Sequence, residues 1–128
     1  MEEKSTEVEK AEEKLYKGDV LEAIAILEQY LIEHPDDYYA INKLGVAFVN
    51  DGKIGEAKEC FYRAIEIAPN FVPPYSNMGN LYTEEGRYEE ALMWYKKALE
   101  IDPNFVSART NLAHLYRLTG KIDMAVEE

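Results

Sequence analysis

Four glycines, four alanines and three prolines keep one spacing along this chain. Gly18, Gly52, Gly86 and Gly120 are 34 residues apart, as are Ala23, Ala57, Ala91 and Ala125, and as are Pro35, Pro69 and Pro103. A period held by three unrelated residue types requires the chain to repeat one supersecondary unit. Periods of this length belong to stacked helical hairpins, because one hairpin cannot bury its apolar face alone.

The segment from Phe71 to Pro103 shows how one unit is built. Tyr75, Met78, Gly79, Leu81 and Tyr82 recur at three- and four-residue steps, which predicts a helix with an apolar stripe. Gly86 ends it, since glycine accepts the left-handed conformation just past a helix. Tyr88, Ala91, Leu92, Tyr95, Ala98, Leu99 and Ile101 form the stripe of a second helix. Asp102-Pro103 stops that one, because the residue before proline is pushed out of the α region. Asn104 is the expected cap of the next helix.

Size alternates along these stripes. Gly45, Gly79 and Ala113 fall on first helices; Ala57, Ala91 and Ala125 fall on second helices. Such residues let two backbones approach closely. Leu44, Phe48, Phe61, Tyr82, Tyr95, Leu112 and Tyr116 fill the space beside them.

The pattern resembles the tetratricopeptide repeat (TPR) family. Tyr75, Met78, Gly79, Tyr82, Ala91, Tyr95, Ala98 and Pro103 stand where that family's aromatic-Leu-Gly-Tyr-Ala-aromatic-Ala-Pro signature puts them. Leu44, Gly45, Phe48, Ala57, Phe61, Ala64 and Pro69 do so one unit earlier. The resemblance implies an all-α fold, a right-handed superhelical solenoid of antiparallel helix hairpins with about 3.5 to 4 repeats. A single domain is expected over residues 1–128, with repeats at about 4–36, 37–70, 71–104 and 105–128, the last truncated. The first repeat departs from the pattern. Glu7, Lys10 and Lys14 replace bulky apolar residues, while Val8, Ala11 and Leu15 keep a narrow stripe, which suits a solvent-facing end cap. The last repeat stops partway through its second helix, so the chain is expected to be part of something longer.

The resemblance also implies that first helices line a concave groove in which partners bind. Helical geometry nominates the side chains that lie off the packing stripe. They are Tyr39, Asn42, Lys43, Val46, Val49 and Asn50, then Ser76, Asn77, Asn80, Thr83 and Glu84, then Thr110, Asn111, His114 and Arg117. The set is mostly neutral, although the chain carries a formal charge of −11. The amides Asn77 and Asn111 lie one repeat apart and resemble grooves that grip an extended peptide by its main chain. An amide donates and accepts at once, so it matches any peptide group. The competing reading is that these amides bond across their own hairpins.

Some TPR domains clamp a C-terminal carboxylate with lysine, arginine and asparagine on three successive first helices. Here Asn42 and Val46, with Ser107 and Asn111, occupy those places in one register. Val8 and Glu12, with Pro73 and Asn77, occupy them in the other. The clamp is missing from both.

Other chemistry finds little support. His114 faces the expected groove with Arg117 one turn on, and His34 precedes Pro35 at a helix end, where a cation is favourable without any function. The two histidines and Cys60 lack metal-ligand spacing. Cys60 takes the place held by Ile26 and Trp94 in neighbouring repeats and is expected to act as a small hydrophobe, though the three together suggest an outer apolar strip. No nucleophile–base pairing, glycine-rich phosphate loop or HExxH is present. Neither a basic run nor a basic amphipathic helix offsets the negative charge, so nucleic acid and anionic membrane are poor partners. No apolar run approaches the ~20 residues that cross a bilayer, and residues 1–13 lack the apolar core of a signal peptide. A cytoplasmic location is therefore expected.

The expected function is a protein–protein interaction module, an adaptor or scaffold that binds a peptide or protein segment and needs no cofactor, metal or catalytic residue. Two alternatives stand beside it. One is a structural scaffold that self-associates through uncapped ends. The other is the accessory repeat region of a larger enzyme such as a glycosyltransferase.

Overall fold

The computed structural model describes residues 6–120, which form seven α-helices and no strand. They are α1 (Thr6–Lys17), α2 (Val20–Glu33), α3 (Tyr38–Asn50), α4 (Ile54–Ile67), α5 (Pro73–Glu84), α6 (Tyr88–Ile101) and α7 (Val106–Leu118). The fold is all-α, as the period requires. Ala125, the fourth alanine of the series, lies outside the described residues, as do the ends of the first and last repeats.

Each hairpin turns on a glycine. Gly18, Gly52 and Gly86 have φ of +86°, +79° and +76°, a region that a Cβ makes costly. The turn then closes with two hydrogen bonds that satisfy the last carbonyls of the first helix. After α3, Gly52 donates to Val49 and Lys53 donates to Phe48; after α5, Gly86 donates to Thr83 and Arg87 donates to Tyr82. This is the Schellman pattern. The second helices end just before Pro35, Pro69 and Pro103, and the chain re-enters a first helix three or four residues after each proline.

The starts of the first helices differ. Asp37 caps α3, its Oδ1 accepting from the Ala40 amide at 3.1 Å, while its Oδ2 accepts from the Tyr30 hydroxyl at 2.6 Å. α5 begins on Pro73-Pro74, where missing N–H groups cost nothing. The expected cap of α7 is corrected: Phe105 holds the N-cap position with no side-chain capping bond, and the Asn104 amide donates instead to Asp102 Oδ1. Asp102 therefore organises the loop that Asn104 was expected to organise.

The described chain divides into two compact units, residues 1–69 and 70–128, at the border between the second and third repeats. In unit 1, α1 packs on α2, α3 on α4, α2 on α3, and α1 touches α3. In unit 2, α5 packs on α6, α6 on α7, and α5 touches α7. Ala23, Ala57 and Ala91 are wholly buried, as are Ala11, Ala64 and Ala98. Val8 and Ala11 are the buried residues of α1, while Glu7 and Lys10 are exposed, so the narrow stripe of the first repeat suffices to dock it.

The two glycines inside first helices mark the closest packing. A Cβ on Gly45 would lie 2.5 Å from Cε1 of Phe61, and one on Gly79 would lie 2.5 Å from Cε1 of Tyr95. Both rings are fully buried. α3 and α5 therefore each rest a glycine on the aromatic ring of the second helix of the same hairpin.

Candidate functional site

The first-helix positions fall into two repeat series that meet within each unit. Residues 12, 46, 80 and 114 occupy one position of the repeat; residues 43, 77 and 111 occupy another. In unit 1 the meeting pair is Glu12 on α1 and Lys43 on α3. In unit 2 it is Asn80 on α5 and Asn111 on α7.

In unit 1 the pair is ionic. Glu12 Oε2 lies 3.5 Å from Lys43 Nζ and accepts a hydrogen bond of 2.6 Å from the Tyr39 hydroxyl. The Lys43 ammonium also sits 5.5 Å from the Tyr39 ring centroid. Lys43, one of the two cations nominated for the groove, thus already faces a carboxylate of its own chain. All three residues are only partly exposed.

In unit 2 the pair is a pair of amides. Asn111 Nδ2 donates to Asn80 Oδ1 at 2.9 Å, and the Tyr95 hydroxyl donates to the same oxygen at 2.6 Å. The Thr83 hydroxyl lies 3.3 Å from the Tyr95 hydroxyl and bonds the Gly79 carbonyl at 2.9 Å. With the Thr83 proton directed to Gly79, the proton of Tyr95 goes to Asn80. The Asn80 atom that faces it must be the acceptor, which leaves the Asn111 Nδ2 as the donor. Burial pushes the Tyr95 pKa above its ordinary value, so the hydroxyl stays a donor at neutral pH. Among the described residues, the Asn80 Nδ2 hydrogens and the Asn111 Oδ1 have no partner. The network therefore fixes two amides while leaving one donor end and one acceptor end available.

The other nominated residues fall in different surroundings. Asn42 and Ser76 are buried, at 4% and 3% exposure, and Ser76 Oγ has no hydrogen-bond partner. Val46, Val49, Asn77 and Thr83 are half-buried, whereas Asn50, Glu84, Thr110, His114 and Arg117 are exposed. Asn77, on which the peptide-gripping reading leaned, has interactions of its own within the chain.

Reasoning from sequence placed Tyr95 only in the packing stripe and missed its role as the anchor of Asn80. A signal was available. Phe61, Val46 and Val49 of the second repeat become Tyr95, Asn80 and Thr83 in the third. Three apolar-to-polar changes at linked positions announce a hydrogen-bonded group.

Cys60 is half-buried beside a cleft in unit 1, with its pKa pushed up to about 12 by burial first and then by Glu59, Glu28 and Glu56. It is a thiol at neutral pH and a poor nucleophile. Trp94 is half-buried, with Lys97 Nζ 4.7 Å above its ring and the Tyr75 ring 6.0 Å away. Among the described residues no cluster of His, Cys, Asp and Glu could hold a metal, and no helix is long and apolar enough to cross a membrane.

Three family models, described as tetratricopeptide repeat or TPR repeat, match residues 8–70, 60–93 and 79–120. The chain belongs to the tetratricopeptide repeat family. Among solved structures, MamA is 24% identical over 95% of this chain and 71% of its own, with a TM-score of 0.81. The first TPR of Spaghetti (RPAP3), bound to the HSP90 peptide SRMEEVD, is 21% identical over 89% of this chain and 90% of its own, with a TM-score of 0.79. An O-GlcNAc transferase mutant of Thermobaculum terrenum is 26% identical over 86% of this chain but only 21% of its own, with a TM-score of 0.80. No curated protein matches the sequence.

Proposed function

We propose that this TPR chain is a protein-interaction module without catalytic activity of its own, and that it holds an extended segment of a protein partner against its first helices. The observation that carries this reading is the amide pair of unit 2. Asn80 and Asn111 are locked together, yet a donor and an acceptor remain unspent. A peptide group needs one of each. The Spaghetti repeat domain, of the same fold, is bound to a peptide.

The chemistry of that surface narrows the partner. The carboxylate clamp is missing, and Lys43 is already engaged by Glu12. Recognition would therefore rest on main-chain hydrogen bonds and not on a terminal carboxylate. Arg117 is exposed on α7 and adds positive charge to that helix.

The test is affinity capture with the chain, identification of the captured segment, and titration of that segment as a synthetic peptide. Replacing both Asn80 and Asn111 with Ala should weaken binding roughly tenfold or more, because each lost hydrogen bond is worth about 1 kcal/mol. Unchanged affinity would sink the reading. A second reading follows from the transferase likeness, which spans a fifth of that enzyme: this chain serves as the repeat region of a larger catalytic protein. The sequence of the complete gene decides that reading directly.

A further inference from the structure

The repeat series on the second helices holds Ile26, Cys60 and Trp94 at one position, and Ile41 and Tyr75 occupy another, one repeat apart on first helices. In unit 2 the two series meet as a Trp94–Tyr75 ring pair. In unit 1 the corresponding residues are Cys60 and Ile41, both much smaller. The space is not closed. An open cleft of about 370 Å³ lies there, with Leu31, Ile41, Leu44 and Phe48 among its lining residues. Unit 2 places two rings where unit 1 has two smaller side chains.

Carboxylates outnumber cations around the cleft. Glu56 and Glu59 line it, and Glu28 is close enough for its charge to act on Cys60. The lining cation, Arg63, is engaged at the cleft edge by the carbonyl of Pro35, another lining residue, at 3.3 Å and by Asp36 at 3.4 Å, which offsets part of its charge. An apolar floor under a carboxylate rim selects a ligand that is bulky and apolar at its centre and basic at its edges. A second copy of this chain, with a net charge of −11, is repelled as a whole. An anionic lipid meets the same carboxylates.

We propose that this cleft of unit 1 is a second protein-docking site, which takes a bulky apolar side chain flanked by lysine or arginine from a partner protein. The cleft involves α2, α3 and α4 and shares no residue with the amide pair of unit 2. It therefore stands or falls separately from the peptide-holding reading.

Two short blocked peptides test it, one with phenylalanine between two lysines and one with phenylalanine between two glutamates. The lysine peptide should bind, and should slow alkylation of Cys60 by iodoacetamide at mildly alkaline pH. The glutamate peptide should bind at least ~10-fold more weakly, since like charges at a contact are unfavourable. Glu56→Lys with Glu59→Lys should invert that preference. Cys60→Trp, which borrows the residue of the next repeat, should abolish both binding and cleft. Circular dichroism checks that it folds, and if it does not, the exposed Glu56 and Glu59 changes carry the test. Asn80→Ala with Asn111→Ala should leave the lysine peptide's affinity unchanged. The proposal is overturned by absence of protection at millimolar lysine peptide, by equal binding of the two peptides, or by indifference to the charge reversal. It is also overturned by a dimer in sedimentation that Cys60→Trp removes, because a second copy would then be the occupant.

Discussion

Glu12 and Lys43 in unit 1 stand two repeats before Asn80 and Asn111 in unit 2, at the same positions of the same helices. One pair joins α1 to α3 by charge, at 3.5 Å; the other joins α5 to α7 by a neutral hydrogen bond, at 2.9 Å. Tyr95, which bonds Asn80, supports Gly79, and Phe61, one repeat before Tyr95, supports Gly45 at the same distance. The packing is shared and the polar chemistry above it is not. The difference separates what the repeat needs in order to fold from what each unit is free to use for recognition. An ion pair closed on itself offers little to a partner. A half-satisfied amide pair offers a donor and an acceptor.

The shared packing should be the costliest to disturb. Gly45→Ala and Gly79→Ala each place a methyl group 2.5 Å from a buried ring carbon. Alanine is favoured over glycine inside a helix by about 1 kcal/mol, but overpacking a closed core costs about 1–3 kcal/mol or more. Both variants should lose stability in urea unfolding. Gly79→Ala should lose more, because Tyr95 is tethered at its hydroxyl to Asn80 and cannot slide away as Phe61 can. Equal losses would show that the hydroxyl adds no rigidity, and the two units would then differ in chemistry only.

Exchanging the ring types attacks the difference itself. Phe61→Tyr puts a hydroxyl where repeat equivalence supplies Val46 and Val49 in place of Asn80 and Thr83. A buried hydroxyl without a partner costs about 1–3 kcal/mol. Tyr95→Phe removes one bond to an Asn80 oxygen that still accepts from Asn111, so about 1 kcal/mol is expected. Hydrogen–deuterium exchange along α4 and α6 reads each loss in its own unit. If Phe61→Tyr proves harmless, the apolar character of unit 1 is not a constraint and the comparison breaks.

These cases also show how far the sequence could be followed. The period of 34 fixed the hairpins, the glycine turns and the proline stops, because each depends on backbone geometry that a single residue type imposes. The family assignment followed from the same residues. Which amide end faces which partner was out of reach, since it depends on where the protons of Thr83 and Tyr95 go. The burial of Asn42 and Ser76 was equally hidden. Helical spacing assigns a side chain to a face, but whether that face is covered depends on the packing of other elements. Glu12 entered the sequence reasoning only as a residue that spoils a clamp; its reach to Tyr39 and Lys43 spans 27 and 31 positions and has no local signature.

The smallest effect is expected at Glu12. Glu12→Gln retains an acceptor for the Tyr39 hydroxyl and removes only the charge that faces Lys43. Partly exposed ion pairs contribute about 1 kcal/mol or less, so the loss at low salt should be a few tenths of a kcal/mol. Its dependence on salt is the sharper measure. Salt weakens an ion pair but also screens the repulsion within a chain of net charge −11, and the two effects have opposite signs. Removing any carboxylate relieves some repulsion, so Glu7→Gln, an exposed change on the same helix, is the reference. Urea midpoints from low to high salt should rise more for Glu12→Gln than for Glu7→Gln, because only the former has lost the pair that salt would otherwise erode. If the two variants track each other, Glu12 and Lys43 are neighbours without being a bond. Lys43 would then be as available to a ligand as the amides of unit 2, and the contrast between the units would no longer hold.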